Sequence, residues 1–358
     1  MADQKRRAFL SGLLAASLWP KHTWAEAGSP VLLSAAKASG GRYVLCGINN
    51  TFDIIFQIPL PARGHAAAVH PMRPEAVVFA RRPGTFACII DCLSGRTIAA
   101  LAAPKGRHFY GHGTYSQDGA VLFTTENNYG AGRGCIGLWD ATNGYARIEE
   151  WNSGGIGPHD IKRIHGSDIL VVANGGIDTH PNTGRAKLNI ATMRSNLSYI
   201  RDGQIIETVK LGDDHRKNSI RHLAVGSDGH VAFGMQWQGE AAPRGLVGSH
   251  RMSQHPTVMA APADEIHALN GYVGSVAISH DGALIFATSP RGNCVQTFDA
   301  DGLQWNATRS LSDVCGIANF EKTLCVSSGS GRLEPLHKAK RVGLQAHHLA
   351  WDNHLVSV

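Results

Sequence analysis

The chain has 358 residues with 34 Lys or Arg, 28 Asp or Glu and 19 His, and its formal net charge is +6. The positive charges form no lysine or arginine block, which argues against nucleic acid as a partner. Glycine accounts for 41 residues, about 11% of the chain against roughly 7% in average proteins. Because proline is not enriched as well, the glycine excess predicts many tight turns rather than disorder.

The N-terminus has the features of a targeting segment. Residues 5–11 are KRRAFLS, an apolar stretch covers residues 13–19, and small residues suited to cleavage lie at 25–27. This order resembles a twin-arginine export signal, and we predict a signal peptide over residues 1–27 and a periplasmic mature protein of one domain, 28–358. An ordinary secretory signal and a buried first helix are the alternatives. No later stretch approaches the ~18–20 apolar residues of a membrane span, so we expect none after signal removal.

Residues 111–144 carry the pattern that organises the rest of the chain. Short runs rich in β-branched and aromatic residues alternate there with Asp-Gly and Asn-Gly turn pairs, which are strand and turn signals. Trp139-Asp140 follows His112 after 27 positions, a spacing typical of one four-stranded propeller blade. We therefore predict strands in this region and expect Trp139 to pack between neighbouring blades.

The same pattern recurs along the chain and predicts the fold. Its seven anchor positions are His65, His112, His159, His222, Ser275, Gly316 and His348. Seven anchors predict an all-β, seven-bladed β-propeller of antiparallel four-stranded blades. Two strands follow the last anchor, and two more, at residues 42–48 and 53–58, precede the first. We therefore predict that both termini close the ring within one blade, which removes free sheet edges.

This architecture places scattered residues on one surface. In a propeller the first strand of each blade lines the central channel, and the loops leading into it share a face with the loops between second and third strands. Loops on a rigid scaffold are the usual place for binding groups. The leading loops supply His65, His112, His159, Asp160 and His222, and the second-to-third loops supply Glu126, Arg133, Arg185 and Arg291.

Several chemistries are open at this channel mouth. Imidazoles ringing a channel suit a transition metal or the edge of a haem, whereas a histidine that follows glycine at the start of a blade often bonds only within its own blade. Imidazoles and guanidiniums with few carboxylates favour an anion or an anionic metal chelate over a bare hard cation. Ca²⁺ on Glu126, Asn127 and Asn128 is the less favoured alternative. No short-range metal motif such as HExxH occurs, so the residues do not identify a metal.

Longer motifs carry a resemblance to one family. With RHFYGHGTYSQDG, TTENNYGAGRGCIGLWD, GIGPHDI and VVANGGIDTHPNTGR, the chain from about residue 30 to residue 358 resembles the DUF1513 family, bacterial periplasmic propellers with twin-arginine signals. The resemblance implies a WD/YVTN-like propeller associated with periplasmic iron uptake, with an imelysin-type iron-uptake protein as the expected partner. The family carries no established activity, so no catalytic residue is transferred.

Two functions follow from these features. The first is a non-enzymatic periplasmic binding or scaffold propeller that serves iron or metal acquisition through the His/Arg-rich face. The second is a propeller enzyme, either a lactonase-like hydrolase with a Ca²⁺ site or a redox propeller. The sequence has neither a Gly-x-Ser-x-Gly elbow nor a Walker-type phosphate loop, and we predict no catalytic residues.

Overall fold

The computed structural model describes residues 22–81, 85–184, 186–336 and 343–358, and within these ranges the chain is almost entirely antiparallel sheet. Twenty-eight strands in these ranges form seven four-stranded sheets. One short α-helix, α1 (Ala263–Ala268), precedes the first strand of blade 5. Among the described residues, no helix is long and apolar enough to span a membrane. The predicted seven-bladed propeller is confirmed.

The blades are numbered in chain order, and blade 7 combines both termini. Its first three strands are β1 (Leu32–Ala38), β2 (Tyr43–Ile48) and β3 (Ile54–Leu60). Blade 1 contains β4 (Gly64–Val69), β5 (Glu75–Ala80), β6 (Ala87–Asp91) and β7 (Arg96–Leu101). Blade 2 contains β8 (Arg107–Tyr115), β9 (Val121–Asn128), β10 (Arg133–Asp140) and β11 (Ala146–Asn152). Blade 3 contains β12 (Pro158–Arg163), β13 (Leu170–Asn174), β14 (Asn196–Arg201) and β15 (Gln204–Lys210).

The remaining blades follow the same plan. Blade 4 contains β16 (Asn218–Val225), β17 (Val231–Trp237), β18 (Val247–His250) and β19 (Thr257–Val258). Blade 5 contains β20 (Ser275–Ile278), β21 (Leu284–Ser289), β22 (Cys294–Asp299) and β23 (Gln304–Ser310). Blade 6 contains β24 (Val314–Phe320), β25 (Thr323–Ser328), β26 (Arg332–Pro335) and β27 (Gln345–Ala346), and blade 7 is completed by β28 (Leu349–Ser357).

Each sheet runs from the central channel outward in the order of its strands. The innermost strands of neighbouring blades contact one another around the ring, as β4 does with β8 and β8 with β12. Burial falls outward, because β9 and β10 are almost fully buried whereas β11 alternates between exposed and half-buried residues. The channel is therefore walled by one strand from every blade.

Blade 7 is closed by one strand from the C-terminus and three from the N-terminus. The innermost strand β28 pairs with β1 in antiparallel register from Leu32↔Ser357 to Ala38↔Leu349. The predicted division of two strands from each end is therefore wrong in detail, although both termini do close the ring. The strand β1 was missed because its sequence, LLSAAKA, is rich in alanine, which has weak β propensity. The segment just before His348 holds β27, which belongs to blade 6.

Apolar side chains fill the spaces between adjacent blades. Trp139 is 4% exposed and belongs to a cluster that joins Phe79 and Ile89 of blade 1 to Leu122 of blade 2. Its indole nitrogen donates a hydrogen bond to Thr124 Oγ1 at 2.9 Å. The prediction that Trp139 packs between neighbouring blades is confirmed.

We predict that Trp139→Ala lowers the free energy of unfolding by about 3–5 kcal/mol, because it removes a large buried aromatic side chain from an inter-blade contact. Ile148→Ala is the matched control, since Ile148 lies in the next strand and is 55% exposed, and we expect a change within about 0.5 kcal/mol. Urea unfolding followed by fluorescence and circular dichroism measures both. Equal losses in the two variants would contradict the packing role of Trp139.

Candidate metal centre

The innermost strands bring five histidines together inside the channel. These channel histidines are His65 in β4, His112 in β8, His159 in β12, His222 in β16 and His354 in β28. They come from five consecutive blades of the ring, namely blades 7, 1, 2, 3 and 4. The neighbouring ring centroids are 4.8 Å (His65–His354 and His112–His354), 4.9 Å (His112–His159 and His159–His222) and 5.1 Å (His222–His354) apart.

A local irregularity of the strand accompanies each channel histidine. In each of these five innermost strands, the pairing with the neighbouring strand shifts register at the histidine. In β16 the shift lies directly before it. In β8, for example, Tyr110, Gly111 and His112 lie opposite a single residue of β9, between the pairs Phe109↔Glu126 and Gly113↔Thr124. A β-bulge of this kind bends the strand and changes the direction of its side chains. The bulges therefore explain how these five strands each direct a histidine into the channel.

The hydrogen bonds of two channel histidines fix which ring nitrogen carries a proton. His159 Nδ1 lies 3.1 Å from the carbonyl oxygen of Arg221, so Nδ1 is the donor. His112 Nδ1 lies 3.2 Å from Asp160 Oδ1, and an N–H at Nδ1 satisfies that carboxylate. In the neutral form each ring then has a lone pair on Nε2, which is the form that binds a metal. A carboxylate behind a histidine also orients it as a ligand and raises its basicity.

Several ring nitrogens in the channel lack a hydrogen-bond partner among the described residues. They are both nitrogens of His222, Nε2 of His354 and Nδ1 of His65, and all of these atoms are buried. A buried polar atom without a partner costs free energy and calls for an explanation such as an ion. His112, His222 and His354 are buried, whereas His65 and His159 are half-buried.

The electrostatics of the channel keep four of these imidazoles, those of His65, His159, His222 and His354, neutral. Burial, followed by the charges of neighbouring groups, lowers the pKa of His65, His159 and His354 well below the usual 6.5. The same causes lower the pKa of His222 to about 3. Burial alone would raise the pKa of Asp160, but Lys162 and His112 hold it below its ordinary value. At neutral pH the channel therefore offers uncharged nitrogen donors beside one ionised carboxylate.

The spacing of the donor atoms suits a metal ion. The ligand atoms of His65, His112 and His159 all lie within 4.8 Å of one another, and so do those of His112, His222 and His354. Nε2 of His65 and Nε2 of His112 are 3.3 Å apart. A tetrahedral ion with metal–nitrogen bonds of about 2.0–2.1 Å holds its ligand atoms about 3.3–3.4 Å apart. The nearest pair of nitrogens is therefore already at the separation that a tetrahedral ion requires.

The channel histidines separate two cavities. The upper cavity, of about 220 Å³, has His65, His159 and His222 on its wall. Three cationic side chains also line it, from loops between second and third strands and from an innermost strand. They are Arg81, Lys187 and Arg221. None of the described residues that line this cavity is acidic.

The lower cavity, of about 300 Å³, lies on the other side of the channel histidines. His112, His222 and His354 form part of its wall. Asp160 and Lys162 also line it, together with small and apolar residues of the innermost strands. Because His222 borders both cavities, the histidine cluster is reached from the upper and from the lower face.

The predicted site residues fall into two groups. His65, His112, His159, His222 and Asp160 lie together in the channel. Arg291 is exposed beside the upper cavity, with its guanidinium 4.5 Å from the ring centroid of Tyr272. Arg133 is exposed at the start of β10 and does not line either cavity. Arg185 lies outside the described residues.

The predicted position of Glu126 at the channel mouth is wrong. Glu126 is fully buried in β9, where it accepts hydrogen bonds from Thr124 Oγ1 at 2.8 Å and from Arg147 Nη1 at 2.7 Å. Arg147 and Arg107 also bind Glu150, so both carboxylates near Cys135 are neutralised by guanidiniums. Burial raises the pKa of the Cys135 thiol to about 12, so it remains protonated. This group therefore offers no open ligand to Ca²⁺ or to another metal.

One channel histidine, His354, was not predicted from the sequence. The last anchor was aligned on His348, which precedes β28, whereas His354 occupies the channel position in that strand. The two histidines are six residues apart in HHLAWDNHL, and both fit a histidine at the beginning of a strand pair. The length of β28 and its bulge opposite Ala35 decide between them, and neither is visible in the local sequence.

Comparison with solved structures supports the fold. The chain is similar to Kuenenia stuttgartiensis hydrazine synthase, with 15% identity and a TM-score of 0.62 over 84% of this chain and 91% of that one. It is also similar to the WD40 beta propeller domain of Doa1, with 11% identity and a TM-score of 0.60 over 88% and 92% of the two chains. At these identities the likeness concerns the fold alone.

Comparison of the sequence itself gives the family. No curated protein matches the chain. Residues 58–358 match the sequence model of a family described as "Protein of unknown function (DUF1513)". This match covers most of the chain, and the protein therefore belongs to the DUF1513 family.

Proposed function

We propose that this protein is a metal-binding propeller that holds a transition-metal ion on the channel histidines and serves metal acquisition in the periplasm. The observation that carries the proposal is the convergence of five imidazoles, from five blades, whose buried nitrogens include several without a partner among the described residues. Imidazole is the commonest protein ligand of transition metals, and it binds as the neutral ring.

The bonding pattern of the channel histidines argues against a purely structural role. His159 bonds to Arg221 of blade 4, and His112 bonds to Asp160 of blade 3. The Nδ1 atom of His70, by contrast, accepts from the backbone nitrogens of Met72 and Arg73 in its own β4–β5 turn. The channel histidines instead connect different blades around one point.

The donor set narrows the class of metal. Imidazoles suit Zn, Cu, Ni and Fe, whereas Ca²⁺ and Mg²⁺ require oxygen ligands. Asp160 supports His112 from behind and is the carboxylate found among the described residues next to the cluster. The family resemblance favours iron within this class, because it implies periplasmic iron uptake beside an imelysin-type partner.

We predict that the purified protein binds one Zn²⁺ or Co²⁺ per chain, and that combining His112→Ala with His222→Ala weakens binding by at least about 10²-fold, since two ligands are lost. Isothermal titration calorimetry and metal analysis measure the affinity and the stoichiometry. His165→Ala is the matched control, because His165 is exposed and lies outside the channel. Unchanged affinity in a folded double variant would refute the channel site.

We predict that the metal-free protein loses stability as the pH falls below about 6.5. His222 has a folded-state pKa of about 3, so between these values the unfolded chain binds a proton there and the folded chain does not. Stability is therefore full above pH 6.5 and decreases by about 1.4 kcal/mol per pH unit for each such histidine.

The free energy of unfolding of the wild type and of His222→Gln is measured by urea unfolding at pH 7.5, 6.0 and 5.0, with a chelator present. The variant should show a shallower decline, by about 1.4 kcal/mol per pH unit. Identical declines would mean that His222 becomes protonated in the folded protein.

We also propose export to the periplasm by the twin-arginine route. Residues 1–21 lie outside the described ranges, so the sequence alone supports this step. Changing Arg6 and Arg7 to lysine should leave the protein in the cytoplasmic fraction, whereas Lys5→Gln should leave export intact. Cell fractionation with immunoblotting distinguishes the two. Normal export of the double lysine variant would contradict the proposed route.

A further inference from the structure

We infer that the upper cavity binds a small anionic carboxylate, and that this anion completes the coordination of the metal held below it. The inference rests on the proposed metal site and names the chemical form in which the metal is bound. The observation behind it is that one cavity combines cationic side chains with His65, His159 and His222. None of the described residues that line this cavity is acidic.

The charge balance of the cavity is positive. Arg81 and Arg63 share one carboxylate, Asp352, at 2.8 Å and 2.5 Å respectively. Asp352 is 4% exposed and is not among the described residues that line the cavity. Lys187 donates to a neutral partner, Gln238 Oε1, at 2.6 Å. Positive charge therefore exceeds negative charge around the cavity, and such a field attracts anions.

Arg81, Lys187 and Arg221 all line this one cavity. Burial, and then the charges of Arg221 and Arg291, lower the pKa of Lys187. Like charges gathered at one cavity repel one another, and an anion between them removes that repulsion. Guanidiniums also bind carboxylates in a planar, two-pronged geometry, which makes Arg81 and Arg221 suitable partners.

Neutral hydrogen-bonding groups complete the wall and limit the size of the ligand. Tyr110, Gln236, Tyr272 and Asn353 line the cavity with hydroxyl and amide groups that suit carboxylate or alcohol oxygens. The volume of about 220 Å³ is below the ~300–1,000 Å³ of pockets for drug-sized ligands. A small di- or tricarboxylate fits these limits.

Such an anion would also stabilise the metal ion. Neutral imidazoles add no negative charge to a divalent or trivalent ion, and a buried charge with too little counter-charge is unfavourable. Asp160 faces His112 and lines the lower cavity, so it does not serve the upper side. A chelating carboxylate entering from above supplies oxygen ligands to the metal, while its remaining carboxylate binds the cations.

The test uses Co²⁺, whose visible spectrum reports its coordination, and malonate as a small chelating dicarboxylate. Co²⁺ is first titrated alone, and the loaded protein is then titrated with malonate. We expect a saturable change in the Co²⁺ spectrum and at least tenfold weaker malonate binding to the metal-free protein. Lys187→Gln should weaken malonate about tenfold, and Lys187→Glu more, without changing Co²⁺ affinity. Lys210→Gln, on the outermost strand β15, should change neither.

The outcomes separate the two claims. If Co²⁺ binds but malonate leaves its spectrum unchanged, the carboxylate inference is overturned and the metal site stands. If malonate binds equally well without metal, or inorganic phosphate binds more tightly than malonate, the inference is also overturned. If Co²⁺ does not bind, the proposed function fails and the inference fails with it.

Discussion

The pairing of β28 with β1 is the constraint on which the rest of the structure depends. It joins residues more than 300 positions apart, from Leu32↔Ser357 to Ala38↔Leu349, and it turns a row of sheets into a closed ring. The same pairing carries the bulge that delivers His354 to the channel, and Ser34 Oγ donates to the His354 carbonyl oxygen at 2.9 Å. Closing the fold and completing the histidine cluster are thus one structural event.

The channel also shows where stability is given up. Packing between blades buries large side chains such as Tyr199, Phe233 and Trp139. Each of them stabilises the fold because its apolar surface is removed from water. The channel histidines do the opposite, because burial lowers their pKa and leaves ring nitrogens of His222 and His354 without partners. Unfavourable burial of polar groups at the centre of an otherwise stable fold is common at binding sites. A metal ion that uses those nitrogens would recover part of the cost.

The parts of the fold that depend on local pattern could be predicted, and the parts that depend on distant partners could not. Seven repeats of a strand pair with a turn predicted seven blades, and four of the five channel histidines followed from their place in that repeat. The strand β1 was missed because LLSAAKA has neither β-branched residues nor a turn pair. Glu126 was misplaced because its partner Arg147 lies 21 residues on and reaches it only through the register of β9, β10 and β11. His354 depended on a bulge that no local signal marks.

The most direct test of the metal site is an anomalous difference map from crystals of the protein loaded with Zn²⁺ or Co²⁺, recorded on both sides of the absorption edge of the metal. We expect one dominant peak in the channel, about 2.0–2.2 Å from ring nitrogens of at least three channel histidines. A dominant peak on surface histidines or near Glu126 and Glu150, or a channel without a peak at saturating metal, would contradict the metal site.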